Sequence, residues 1–237
     1  ATELDMVVLV LKNLRSQWFG QTDVIFERLR RVLMALSKVL IFIDEADTQF
    51  GGVGADTHET ERRLTGKLQA MMSDPSLRGR VVWLLVTARI HQLSPDLRRP
   101  GRAGDLIIPA LDPEGEDRRD WLAYVTQPVC PAPLDDSQLT RLDTATAGFS
   151  AAAFAALRSE LKARLRITGK SSLTCDEILE VIHDQMPPAI GDTRRFQTLQ
   201  ALVNCTRRSL LPNPGVTDSE RAGWAEEIRH LEARGIR

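Results

Sequence analysis

Short apolar runs alternate with helical patterns in the first half of the chain, and this alternation limits the fold more than any other feature. The runs rich in Val, Leu and Ile are 6–11, 39–43 and 81–86, and a shorter run at 106–108 predicts a fourth strand. Between them, apolar residues recur at helical spacing at 23–36 and 57–73. Apolar runs of this kind are typical of strands in a parallel sheet, joined by right-handed helical crossovers.

The sequence changes character after residue 127. Three prolines between 128 and 133 predict a stiff linker. Ser150 and Thr174 are predicted N-caps, with Glu177 completing a capping box. We therefore expect an α/β part (1–127), a helical part (128–186) and a C-terminal helical extension (187–237). The helical patterns after the linker are 137–146, 150–165, 174–185, 193–211 and 217–234.

Composition argues against several classes of protein. No apolar run approaches the roughly 20 residues that span a bilayer. Lys plus Arg is 31 against 32 Asp plus Glu, so no chain-wide basic surface for nucleic acid is expected. The three cysteines are far apart and lack CxxC spacing, which argues against a disulfide framework or a zinc site. With no signal-peptide pattern, we expect a cytoplasmic protein.

The run 39–43 is followed directly by Asp44 and Glu45. The carboxyl ends of parallel strands open onto the crevice where such sheets bind ligands. One carboxylate suits Mg²⁺, and a second can orient or deprotonate a water that attacks a phosphate. Acids in this position are also an ordinary solvated start of a loop, so the pair is a hypothesis until other motifs support it.

Two further motifs lie on either side of this pair in the sequence, one before it and one after it. The run 81–86 leads to Thr87 and then to Arg99-Pro100-Gly101-Arg102, and an aromatic–glycine step, Trp18-Phe19-Gly20, precedes the helical pattern at 23–36. Together these motifs resemble the AAA+ ATPases, in particular the rings that unfold or remodel proteins. The resemblance extends from residue 6 to about residue 185. It implies a P-loop NTPase-like parallel sheet, followed by an all-α lid and C-terminal helices.

The resemblance also implies roles for individual residues. Asp44 would be the Mg²⁺-associated acid of the Walker B motif and Glu45 the catalytic base. Arg99 and Arg102 would be arginine fingers that reach the γ-phosphate of ATP in a neighbouring subunit. Fingers that act in trans imply a homo-oligomeric ring, a hexamer in this family. A plain surface turn is the alternative interpretation of the two arginines.

Other family features are carried by loops and by the helical part. Trp18, Phe19 and Gly20 resemble the first pore loop, which grips an extended protein substrate, and 51–58 falls where the second belongs. The alternative is that the aromatics are core residues. Residues 147–154 resemble the lid motif in which small residues, here Gly148 and Ala152, lie beside the adenine. A plain alanine-rich helix start is the alternative there.

The chain departs from the family pattern at two places. Ala88 replaces the usual sensor asparagine, so the Thr87 hydroxyl is the remaining candidate for positioning water. No GxxxxGK[ST] P-loop is present, because 66–68 and 169–171 lack the required glycine or hydroxyl. The first strand and helix of the sheet are therefore expected to be missing from residues 1–237. Either the sequence is a piece of a longer protein, or it is a relative that has lost nucleotide binding.

We predict from this an AAA+ ATPase module that forms a ring and couples Mg-ATP hydrolysis to threading or remodelling protein substrates. The alternative is a scaffold or assembly factor that does not hydrolyse nucleotide, which the absent P-loop and Ala88 would favour. A nucleic-acid-acting ring is the least favoured, since the net charge is −1 and no basic insert accompanies the motifs.

Overall fold

The structure of the chain is a computed structural model, and it describes residues 2–12, 22–50, 59–132, 134–186 and 189–236. Contacts within the chain define two compact units. One is formed by residues 1–109 together with 192–237, and the other by residues 110–191. None of the described helices is long and apolar enough to cross a membrane.

The first unit contains a parallel sheet in the order β1-β2-β3. Leu9 in β1, Ile41 in β2 and Trp83 in β3 lie opposite one another in the register. This confirms the predicted α/β class. The strands are β1 (Val7–Val10), β2 (Val39–Ile43) and β3 (Val81–Leu85), and the helices between them are α1 (Thr22–Ala35), α2 (Ala46–Phe50) and α3 (Glu59–Met72).

One face of this sheet is packed and the other is not. On the packed face, Ile41 of β2 is fully buried and belongs to a core that includes Leu33 of α1 and Leu68 of α3. On the opposite face, Val82 and Leu84 of β3 are 49% and 43% exposed. The face also carries Val8, Val10, Leu40 and Phe42, so that it is apolar at every position. Parallel sheets are normally covered on both faces.

The predicted fourth strand at 106–108 is wrong. Leu106 and Ile108 are exposed, and the segment pairs with no strand of the described sheet. Its backbone is satisfied by Thr206 instead: the Ile107 N–H donates to the Thr206 hydroxyl (3.0 Å), and the Thr206 N–H donates to the Ile107 carbonyl (3.4 Å). The apolar composition of this segment leads to neither burial nor strand pairing, since a strand needs a neighbouring strand to pair with.

The second unit is helical. The Ser150 hydroxyl accepts a hydrogen bond from the Ala153 N–H (3.2 Å), and Thr174 and Glu177 form a reciprocal capping box. These contacts confirm the predicted caps, which satisfy the free N–H groups at a helix start. The helices are α4 (Gly115–Thr126), α5 (Asp136–Ala145), α6 (Ala151–Thr168) and α7 (Cys175–Asp184).

The break between the units differs from the predicted boundary at residue 127. Helix α4 contributes Leu122 and Val125 to the core of the helical unit. Val129, in the expected linker, is fully buried in the same core, and its carbonyl accepts the Leu173 N–H at 2.8 Å. Pro128 and Pro131 therefore lie beside a buried apolar residue rather than in a free spacer, and the break falls at residue 109.

Two C-terminal helices, α8 (Gly191–Asn204) and α9 (Asp218–Ala233), complete the first unit. Helix α8 ends seven residues before the predicted position 211, after which the backbone of Thr206 bonds to Ile107. The His91 ring makes an edge-to-face contact with Phe196 of α8, at 5.1 Å between ring centroids. Neither nitrogen of His91 has a hydrogen-bond partner among the described residues.

The core of the helical unit gives a first prediction. Phe154 of α6 is fully buried and contacts the rings of Trp121 (5.8 Å) and Phe149 (5.7 Å). Phe154→Ala should lower the free energy of unfolding by about 3–5 kcal/mol, because it leaves a cavity among these rings. The exposed Ala156→Ser on the same helix should cost about 0.5 kcal/mol or less. Urea unfolding followed by circular dichroism measures both, and equal losses would contradict the assignment of Phe154 to the core.

A second prediction concerns the pH dependence of stability. Burial lowers the pKa of His91 below its ordinary value of 6.5. The unfolded chain therefore binds a proton that the folded chain does not, so the contribution of His91 falls as the pH drops below about 6.5. Urea midpoints at pH 7.5 and 5.5 should differ less for His91→Leu than for the parent. The exposed His230→Leu serves as control, and an unchanged pH difference in His91→Leu would count against this origin.

Candidate functional site

The turn after β2 holds the two predicted acids at the carboxyl edge of the sheet. Glu45 adopts a left-handed backbone conformation (φ 47°), which is uncommon for a residue other than glycine. The turn is bonded to the end of β3, since the Ala46 N–H donates to the Val86 carbonyl (3.0 Å) and the Val86 N–H to the Ile43 carbonyl (2.9 Å). A sharp turn fixed in this way ends β2 and begins α2.

Asp44 and Glu45 are exposed, and neither forms an ion pair within the described part of the chain. The Glu45 N–H donates to Asp44 Oδ1 at 2.9 Å, which leaves the rest of both carboxylates available. Among the described residues, no group of three or more His, Cys, Asp or Glu side chains is placed so that it could hold a metal ion. Two open carboxylates fit Mg²⁺, which is usually held by one or two carboxylates together with waters and phosphate oxygens.

Asp47 lies one turn further on and is buried, with 5% exposure. The Thr87 hydroxyl donates to Asp47 Oδ1 at 2.5 Å, and Arg89 Nε lies 2.7 Å from Asp47 Oδ2 as an ion pair without hydrogen-bond alignment. The Arg89 N–H in turn donates to the Thr87 hydroxyl (2.9 Å). The sequence reasoning missed Asp47, because an acid in the first turn of a helix is common and carries no local signal of burial. This carboxylate ties the turn after β2 to the turn after β3.

These bonds define what the hydroxyl of Thr87 can do. Its proton is donated to Asp47, and one lone pair accepts the Arg89 N–H. The hydroxyl can therefore accept a hydrogen bond from a water molecule but has no proton left to donate. Ala88, beside it, offers no polar side-chain atom.

The two predicted fingers belong to residues 98–102, the arginine segment. The Arg99 side chain is 72% exposed and lies 3.3 Å from Asp96 Oδ1. Arg102 is 28% exposed, and its Nη1 donates to the Asp96 carbonyl at 2.9 Å. Gly101 between them has φ 84°, a conformation that favours glycine. Arg99 is thus an exposed side chain in a surface ion pair with Asp96, whereas Arg102 is held on its own loop.

Residues 1–109 match the family described as "ATPase family associated with various cellular activities (AAA)". The chain belongs to the AAA ATPase family. This confirms the resemblance that the motifs indicated, and membership implies a nucleotide-binding module.

Relatives of the AAA module are much longer than this chain. Protein SAV of Sulfolobus acidocaldarius is 31% identical over 172 residues, which is 70% of this chain and 21% of that protein. The Cell division cycle protein 48 homolog of Archaeoglobus fulgidus is 32% identical over 192 residues, or 78% of this chain and 25% of that protein. The human ATPase family AAA domain-containing protein 2 is 28% identical over 120 residues, or 51% of this chain and 9% of that protein. The chain spans a quarter or less of each relative.

The remaining predicted site residues of the AAA module lie elsewhere. Gly148 (φ 77°) precedes the Ser150 cap of α6, and Ala152 is exposed in the first turn of that helix. Trp18, Phe19, Gly20 and 51–58 lie outside the described residues. The structure therefore brings Asp44, Glu45 and Thr87 to one edge of the sheet, and the roles assigned to these and to the other site residues stay predictions.

The arginine segment generates a third prediction. Gly104 is buried, and a Cβ added there would lie 1.9 Å from the carbonyl oxygen of Arg98. Gly104→Ala should cost about 1–3 kcal/mol of unfolding free energy, because the backbone of the segment must move. Gly66→Ala is the matched control: it lies within α3 with open space around it and should gain about 0.5–1 kcal/mol. Thermal and urea unfolding of both variants test this, and a stable Gly104→Ala protein would refute the close approach.

Proposed function

We propose that the chain is the ATP-hydrolysing module of a homo-oligomeric ring, a hexamer, that threads or remodels protein substrates in the cytoplasm. The observation that carries this proposal is the pair of exposed carboxylates on the turn after β2, in a chain of the AAA family. The pair stands at the edge of a parallel sheet where ligands bind, and it has the oxygen donors that a hydrolytic site for Mg-ATP needs.

In this proposal the two acids have different roles in ATP hydrolysis. Asp44 holds Mg²⁺, directly or through water, and the bound ion supplies charge neutralisation at the phosphate oxygens. Glu45 orients the attacking water and accepts its proton. The left-handed backbone of Glu45 lies in a turn that the bond between the Ala46 N–H and the Val86 carbonyl fixes. Thr87 contributes an acceptor that helps to fix the same water.

The arginine segment serves a neighbouring subunit. The high exposure of Arg99 supports a side chain that extends away from its own module. Arg102 joins it when the bond to the Asp96 carbonyl is exchanged for a phosphate oxygen. Guanidinium groups bind phosphate through a planar fork and stabilise the charge of the transition state. Gly148 and Ala152 are proposed to contact the adenine.

The phosphate-binding loop is proposed to lie outside residues 1–237. Strand β3 has β2 on one edge and no strand on the other among the described residues, and it carries the exposed Val82 and Leu84. A strand–loop–helix unit added at that edge would cover the apolar face with its helix. It would also bring its loop to the carboxyl edge of the sheet, beside Asp44. The uncovered face is the structural support for this arrangement.

The contact with substrate protein is assigned to loops. Trp18, Phe19 and Gly20, together with 51–58, are proposed to line the central pore and to grip an extended polypeptide. This assignment rests on the sequence resemblance alone. The competing function is a scaffold or assembly factor that does not hydrolyse nucleotide, and Ala88 favours it because that residue supplies no group that polarises water.

The fourth prediction tests the hydrolytic role in the full-length protein. Glu45→Gln should lower kcat by about 10²–10⁴-fold and keep nucleotide binding, because it removes the base and retains the shape of the side chain. Arg102→Ala should lower kcat by about 10³–10⁵-fold. Steady-state ATPase assays and a fluorescent-nucleotide titration measure turnover and binding.

The exposed Glu27→Gln on α1, whose side chain is 53% accessible, is the control and should keep parental turnover. Unchanged kcat in both Glu45→Gln and Arg102→Ala would sink the assigned roles. A parent protein that neither binds nor hydrolyses Mg-ATP would favour the scaffold instead, whereas submillimolar binding of Mg-ATP would count against the scaffold.

A further inference from the structure

The C-terminal helices form a pair that is joined by ion pairs at one end. The Arg195 guanidinium makes two hydrogen bonds of 2.7 Å to the carboxylate of Glu227, and Arg234 pairs with Asp192 at 2.6 Å. Because the start of α8 meets the end of α9, the two helices run antiparallel. A small core of their own, which includes the fully buried Phe196, lies between them. The ion pairs and this core hold α8 and α9 together.

The same pair contacts the α/β module along residues 91–107. His91 packs edge-to-face on Phe196. The Ile107 N–H donates to the Thr206 hydroxyl, and the Ile107 carbonyl accepts from the Thr206 N–H. Between these contacts, Arg98 Nη1 donates to Asn204 Oδ1 at 3.2 Å. The arginine segment therefore begins at a residue that is held by the last residue of α8.

Asn204 is oriented for this contact by its own helix. Its Nδ2 donates to the Gln200 carbonyl at 2.8 Å, so the amide oxygen is the atom directed to Arg98. Gln200 itself is buried, with 7% exposure. Because both the nitrogen and the oxygen of the side-chain amide form hydrogen bonds, the amide of Asn204 has one preferred orientation. Asn204 therefore presents its oxygen to Arg98 in a fixed position.

The position of Arg98 also limits the conformation of the residues that follow it. Its carbonyl is pressed against Gly104, at a distance that leaves no room for a Cβ. The Gly101 N–H donates to Asp105 Oδ1 at 2.6 Å, which closes the loop from the other side. A loop fixed at Arg98, Gly101 and Gly104 has little freedom, so a displacement of Arg98 must displace Arg99 and Arg102 as well.

We propose that Asn204 is a positioning residue for the arginine segment: through Arg98, the C-terminal helix pair sets the place from which Arg99 and Arg102 reach the neighbouring subunit. The inference rests on the proposed function, since it assigns the two arginines to a site in trans. It gives the extension at 187–237 a role in catalysis by the adjacent subunit.

The fifth prediction is tested with paired variants of the full-length protein. Asn204→Leu removes the acceptor and should lower kcat about 10–100-fold with little change in KM, as expected for misplaced catalytic groups. Asn204→Asp keeps an oxygen for Arg98 and should restore most of the turnover. Arg195→Gln is the matched control, because it breaks a contact within the helix pair and leaves Arg98 and Asn204 in place.

A mixing experiment separates this inference from the proposed function. Glu45→Gln subunits lack their own base but carry intact arginines, so in mixed rings they should restore turnover to Arg102→Ala and equally to Asn204→Leu subunits. Restoration of Arg102→Ala alone would overturn the role of Asn204, as would losses in Asn204→Leu that match Arg195→Gln and are not rescued by Asp. Restoration of neither variant would mean that the arginines do not act in trans, and both proposals would fall.

Discussion

The burial of β2 between β1 and β3 is the constraint on which the site depends. Val39, Ile41 and Ile43 have no solvent exposure, and each such side chain stabilises the folded chain by about 1.5–3 kcal/mol. Their burial fixes the parallel register, and the register brings the carboxyl ends of the strands to one edge. Without it, the bond from Ala46 to Val86 would have no fixed partner. The geometry of the acids is thus a consequence of hydrophobic packing several residues away.

The features that sequence reasoning predicted correctly are local ones. A hydroxyl at Ser150 or Thr174 bonds to an N–H three residues ahead, so its effect is contained in a few neighbouring letters. The apolar residues of β2 and the acids that follow them also lie within one short stretch of the sequence, so they can be recognised without knowledge of distant contacts. The AAA motifs were recognisable for the same reason, since each is a short segment with a fixed internal spacing.

The features that sequence reasoning missed join residues far apart along the chain. Thr87 and Asp47 are separated by 40 positions, and Arg98 and Asn204 by 106. No local pattern distinguishes a buried Asp47 from an ordinary acid in the first turn of a helix. The segment 106–108 was misjudged for the same reason, because its partner, Thr206, comes 99 residues later. Apolar composition set the expectation of a strand, and a distant hydrogen-bonding partner decided otherwise.

The uncovered face of the sheet has a consequence for measurements of particle mass. Val82 and Leu84 on that face belong to β3, whose outer edge pairs with no other strand among the described residues, and such edges pair readily with other chains. Exposed apolar surface beside them adds a non-directional attraction. The mass of particles formed by residues 1–237 would therefore include self-association through this face, in addition to any ordered assembly of subunits.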